Sequence, residues 1–133
     1  MDSGGEVFSG NDDVFRSRGF FTRRFPGYLR LVRDHCEVHV RGTSSGYLLE
    51  IPVLRSYPGE QFPDRVIAYI EERNASGKWP GTFVVRGDTI WCVCEAGRGE
   101  GAECSQTAAR VADMALKLVE QVERLGPKIL NLR

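Results

Sequence analysis

The chain has 133 residues, 41% of them hydrophobic and 27% charged, and its 18 basic and 18 acidic side chains give a formal net charge of zero. Such a composition belongs to one globular domain that buries a core without disulfides or metal. It lacks the overall basicity of a typical nucleic-acid-binding domain, and no apolar run is long enough to span a bilayer.

Residues 1–10, "MDSGGEVFSG", offer almost nothing to bury and are expected to form a disordered tail. With no positive region ahead of an apolar one, they do not read as a signal peptide, and a cytoplasmic protein is expected. Residues 11–133 are read as a single α+β domain.

Asn11, Asp12 and Asp13 are N-cap candidates ahead of "VFRSRGFFTRRF", in which Val14, Arg18, Phe21 and Phe25 fall at roughly helical spacing. The spacing predicts a short helix, weakened by Gly19 and ended by Pro26-Gly27. Residues 14–33 contain Arg16, Arg18, Arg23, Arg24, Arg30 and Arg33 and no acid, so this stretch carries +6 and the remainder −6.

Cys36, Val38 and Val40 alternate with Glu37, His39 and Arg41, the pattern of a half-buried strand. "RGTSSG" supplies turn chemistry before "GYLLEIPVLRS", which makes a first hairpin. Pro52 marks an edge or a bulge in its second strand. "FPDRVIAYIEERNASG" reads as a helix with Pro63 and Asp64 at its start, Val66, Ile67 and Ile70 as its apolar stripe, and Asn74 with Gly77 as its stop. "GTFVVRGDTIWCVCEAG" is a second hairpin turning at "RGDT", and "GRGEGAE" is a glycine-rich loop.

The last segment, from Cys104, carries Val111, Ala115, Leu118, Val122 and Leu125 on a 3.6-residue period, with Ser105 as a cap and Gly126-Pro127 as terminator. The order is α-ββ-α-ββ-α. It predicts an antiparallel sheet built from two hairpins with helices packed on one face.

Candidate chemistry is thin. Cys36, Cys92, Cys94 and Cys104 lack the doubled Cys pairs of a zinc site, so no metal or other cofactor is expected, and the thiols read as small buried hydrophobes. His35 and His39 share one strand face opposite Cys36, which reads as solvated rather than catalytic. Gly97, Gly99 and Gly101 are not followed by the Lys-Ser/Thr of a phosphate-binding loop.

Residues 35–125, with "EVHVRGTSSGYLLEIPV", "RVIAYIEERNASGKWPGTFVVRGDTIWCVCEAG" and a carboxy-terminal helix, resemble the type III secretion chaperone-like fold and the bacterial sensory transduction regulator domains that share it. The resemblance implies a small α+β protein, commonly dimeric, that binds protein segments and has no catalytic residues.

Two functions are therefore in play. The first is a non-enzymatic, chaperone-like or regulatory protein-binding domain acting as a homodimer, with Trp79, Trp91, Leu118 and Val122 supplying an apolar contact surface. The second is single-stranded nucleic-acid binding by cations and rings in segment 16–33, namely Arg16, Arg18, Arg23, Arg24, Phe25, Tyr28 and Arg30. Against the second stands a packing reading, in which Phe21 and Phe25 face the sheet and the arginines take the wet side or pair with acids of the body.

Overall fold

The structure, a computed structural model, describes residues 8, 10–97 and 104–133, together with all of their side chains except that of Cys104. The elements in chain order are α1 (Asp12–Arg16), β1 (Phe21–Phe25), β2 (Tyr28–Arg33), β3 (Cys36–Gly42), β4 (Gly46–Arg55), α2 (Asp64–Ser76), β5 (Thr82–Arg86), β6 (Thr89–Gly97) and α3 (Cys104–Leu132). The strands form one antiparallel sheet in the order β1-β2-β3-β4-β6-β5. This is the α+β class expected, with two strands more than the two hairpins required. The tail expected to be disordered and the glycine-rich loop lie outside the described residues except for Phe8, Gly10 and Gly97. Phe8 is buried at 4% exposure, with its ring against Phe15 and Tyr47.

The additional strands come from the arginine-rich segment. The helix expected over it ends at Arg16, Gly19 takes a left-handed φ of +85°, and the Phe20 amide donates back to the Phe15 carbonyl. The chain then enters β1. Pro26-Gly27 is not a helix stop but a two-residue hairpin turn, with Gly27 at φ +81°. The alternation in "YLRLVR" explains the outcome. Leu29 and Leu31 pair with Val40 and Val38 and are completely buried, so a ladder satisfies this segment better than a short helix interrupted by glycine.

The proline in β4 produces a bulge. Pro52 faces Trp91 and Leu54 faces Ile90, leaving Val53 as the extra residue. Helix α2 starts after Pro63 and stops at Gly77, whose φ of +69° suits a residue without a side chain.

Helix α3 overruns the terminator read at Gly126-Pro127. It continues to Leu132, so its 29 residues span about 43 Å. Pro127 removes one helical donor, but the turns beyond it bury Ile129 and pack Leu132 on the core. Arg133 then donates Nη1 to the Arg55 carbonyl at 2.8 Å, tying this end of the helix to β4.

All three helices cover one face of the sheet. Helix α3 buries Ala108, Val111, Ala112, Ala115, Leu118, Val119, Leu125 and Ile129 over Leu49, Ile51, Cys92 and Ile90. Each of the larger side chains contributes about 1.5–3 kcal/mol. Helix α2 packs against α3 and β5, and α1 inserts Phe15 beside β1.

Candidate binding surface on the open face of the sheet

No helix among the described residues lies over the second face of the sheet, and its side chains follow from register alone. One row across the strands reads Phe25, Tyr28, Arg41, Leu48, Glu95. The next reads Arg23, Arg30, His39, Glu50, Val93, Thr82. Phe21 and Val32 flank these rows at one side of the sheet, and Pro52, Trp91 and Val84 at the other. Aromatic rings, short aliphatics, arginines and the acids Glu37, Glu50 and Glu95 share a platform that no helix covers among the described residues.

Glu50 is the electrostatic centre of the platform. Only 7% of it is exposed, yet it accepts an ion pair from Arg86 on one carboxylate oxygen and from Arg41 at 3.6 Å on the other. Burying a lone carboxylate is very costly, so both guanidiniums are held toward it. Arg86 also sits over the Trp91 ring at 5.8 Å, and the His39 ring meets Trp91 edge-on at 5.7 Å. His39 lies beside Glu50 in the ladder. Partial burial and the charge of Arg30 depress its pKa below 6.5.

On the β1 side, Phe25 stacks on Tyr28 at 4.8 Å and Arg30 lies over both rings while reaching Glu37 at 3.4 Å. Arg23 sits 5.9 Å from the Phe25 centroid, and no acid lies within ion-pair distance of it among the described residues. Phe21 is 72% exposed, the most exposed large apolar side chain described.

The two edges of the sheet are finished differently. In β5 the closing pair Arg86–Thr89 turns the backbone of Gly81 and Phe83 away from β6. Gln121 meets Gly81 with both ends of its amide, accepting from the Gly81 N–H at 2.8 Å and donating to its carbonyl at 3.0 Å. Asn74 does the same for Phe83, at 2.8 Å and 2.9 Å. Helices α2 and α3 thus complete the ladder with two side chains. A Cβ at Gly81 would meet Leu118, Cys92 and, at 2.8 Å, Gln121 Oε1, so only glycine lets α3 approach this closely. In β1 the closing pair Phe25–Tyr28 likewise turns Thr22 outward, and no strand lies beyond it among the described residues.

No protein-family model and no curated protein matches the chain. A solved structure does. The fold is similar to that of a chain in the heterodimeric complex ExoU-SpcU from the type III secretion system of Pseudomonas aeruginosa, with a TM-score of 0.59 and 19% identity over 87% of this chain and 94% of that one. The likeness shows a shared fold.

The structure separates the residues singled out in sequence. Of the apolar set, Leu118 is completely buried, because it is the side chain that closes α3 onto Gly81, and it presents no surface. Trp79 and Val122 are half-buried against the core on the helix side. Trp91 alone of the four lies on the open face. Of the arginine-rich set, Arg16 pairs with Asp13 at 2.7 Å, Arg18 with Asp113 at 3.0 Å, and Arg24 with Asp12 and the Phe8 carbonyl. Arg23, Phe25, Tyr28 and Arg30 come together on the open face.

Glu50, Arg86 and Phe21 were not singled out in the sequence, and His39 was read only as part of a solvated strand face. Period-two alternation assigns His39, Glu50 and Arg86 each to the face it occupies, but their convergence depends on strand order. Cys92 and Cys94 lie under α3, where burial pushes their thiols up to about 12 and about 11, and Cys36 is half-buried.

Proposed function

We propose that the chain is a cytoplasmic, non-enzymatic, chaperone-like binding module that receives an extended segment of another protein and works as a homodimer. The observation that carries the reading is a sheet face that no helix covers among the described residues, together with a β1 edge that no further strand joins among them. Trp91, Tyr28, Phe25 and Phe21 interleaved with arginines have the composition of protein-interaction hot spots, and β1 offers backbone pairing for an added strand. The likeness to a chain of a two-protein secretion complex points the same way. Five strand spacings of about 4.8 Å give the face a width of ~24 Å, which suits an interface of the ordinary ~800 Å² per partner. Segment 16–33 fits single-stranded nucleic acid less well, because four of its cations, Arg16, Arg18, Arg24 and Arg30, pair with acids and the Phe25 and Tyr28 rings stack on each other.

The test combines two measurements on the full chain. Sedimentation at high micromolar concentration is expected to give a dimer, and a strict monomer there removes the homodimer. Random heptapeptides displayed on phage are panned against the chain, and hydrogen exchange is measured with the enriched peptides bound. New protection is expected at Thr22 and across β1. Protection confined to α3 or the β5 edge, or a library that yields no binder, overturns the docking site.

A further inference from the structure

The unclamped edge has a chemical preference of its own. A strand added beside β1 continues the pleat, so alternate residues stand next to Phe21, Arg23 and Phe25 on the open face, with Cβ atoms about 5 Å away. Phe21 is the exposed apolar group at one end of this row, and Phe25 is a half-buried ring at the other. Arg23 between them has no acid within ion-pair distance among the described residues, although Arg16, Arg18, Arg24 and Arg30 of the same segment each have one. On the opposite side of the strand, Arg24 already holds Asp12. The demand for a negative charge therefore falls on one parity of the incoming strand and at one position.

We infer that the segment received at β1 has an acidic residue with apolar or aromatic residues two positions before and two positions after it, all three facing the open side. The inference rests on the strand-addition reading given above. Because the pattern is symmetric about its acid, it holds whether the added strand runs parallel or antiparallel to β1. Neighbouring carboxylate and guanidinium favour this pairing, and a lysine at the centre would set two like charges side by side.

A fluorescein-labelled heptapeptide, Thr-Phe-Thr-Glu-Thr-Phe-Thr, is titrated with the full chain by anisotropy at low salt, alongside versions with Gln or Lys at the centre. Affinity is expected to fall in the order Glu, Gln, Lys, with roughly fivefold or more between the extremes. In Arg23→Glu, a substitution at an exposed position of β1 with the fold checked by an unchanged thermal melt, the order is expected to reverse. Equal affinities, or an order unchanged in Arg23→Glu, overturn the inference. A fourth peptide, with the central Glu retained and alternate backbone amides methylated, separates the two levels of the argument. If methylation abolishes binding while Glu, Gln and Lys bind alike, strand addition stands and the acidic preference falls. If the methylated peptide binds as well as its parent, or none of the peptides binds, strand addition falls and the inference with it. Displacement of the Glu peptide by a single-stranded oligonucleotide would assign Arg23 to phosphate and likewise overturn the inference.

Discussion

The two edges of this sheet solve one problem in opposite ways. At β5, Gln121 and Asn74 hold the outward N–H and carbonyl groups of Gly81 and Phe83, so a partner strand meets two residues whose backbone is already paired. At β1, the outward face of Thr22 meets no further strand among the described residues, and Phe21 stands exposed beside it. An exposed edge invites association, and proteins usually blunt both. Here two long-range side-chain contacts are made at one edge, and the proposed strand addition falls at the other.

The largest expected effect comes from opening the closed edge. Gln121 is 1% exposed, and Gln121→Ala strands two buried backbone groups and leaves a cavity, a loss of ~2–5 kcal/mol by denaturant titration. The same variant should gain concentration-dependent light scattering as β5 becomes able to pair. Asn74→Ala, at a half-buried site, is expected to cost ~1–3 kcal/mol with weaker scattering. At β1 the comparison predicts the reverse. Phe21→Ser should leave stability within about 0.5 kcal/mol and weaken binding of peptides captured by the chain. If Phe21→Ser destabilises as much as Asn74→Ala, the two edges are not different in kind.

The smallest effect concerns pH. Folding depresses the pKa of His39, so on acidification the unfolded chain takes up its proton first. Above pH 6.5 both states are neutral and His39 contributes no slope. Below it, stability falls until the folded protein also protonates. The groups facing His39 are Tyr28 and Arg30 on β2, Glu37 on β3, Glu50 on β4 and Trp91 on β6. His39→Asn should flatten this slope in thermal melts between pH 5 and 7, and an unchanged slope would place its origin elsewhere.

Much of this architecture is legible in the sequence where one physical signal dominates. The apolar stripe of α3, the Pro63 start and Gly77 stop of α2, and the alternation in β3 and β6 all lead to the observed elements. Segment 17–33 misleads because Val14, Arg18, Phe21 and Phe25 imitate a helical period, whereas Leu29 and Leu31 require a partner strand that only the tertiary fold provides. Pro127 misleads for a related reason, since a local cost is offset by burying Ile129 on residues far away in sequence. Glu50 could not be recognised from its neighbours. Its partners stand at positions 39, 41 and 86, and only the pairing of β4 with β3 and β6 in the middle of the sheet brings them together.

The buried thiols of Cys92 and Cys94 have a consequence for redox chemistry. With titration points near 12 and 11 they remain protonated at neutral pH, and the thiol is a poor nucleophile toward peroxide, disulfides or alkylating agents. Their Cys-x-Cys spacing is therefore silent while α3 stays seated on the sheet. Lifting that helix would expose them to oxidants, so their reactivity toward an alkylating agent reports whether the layer is closed.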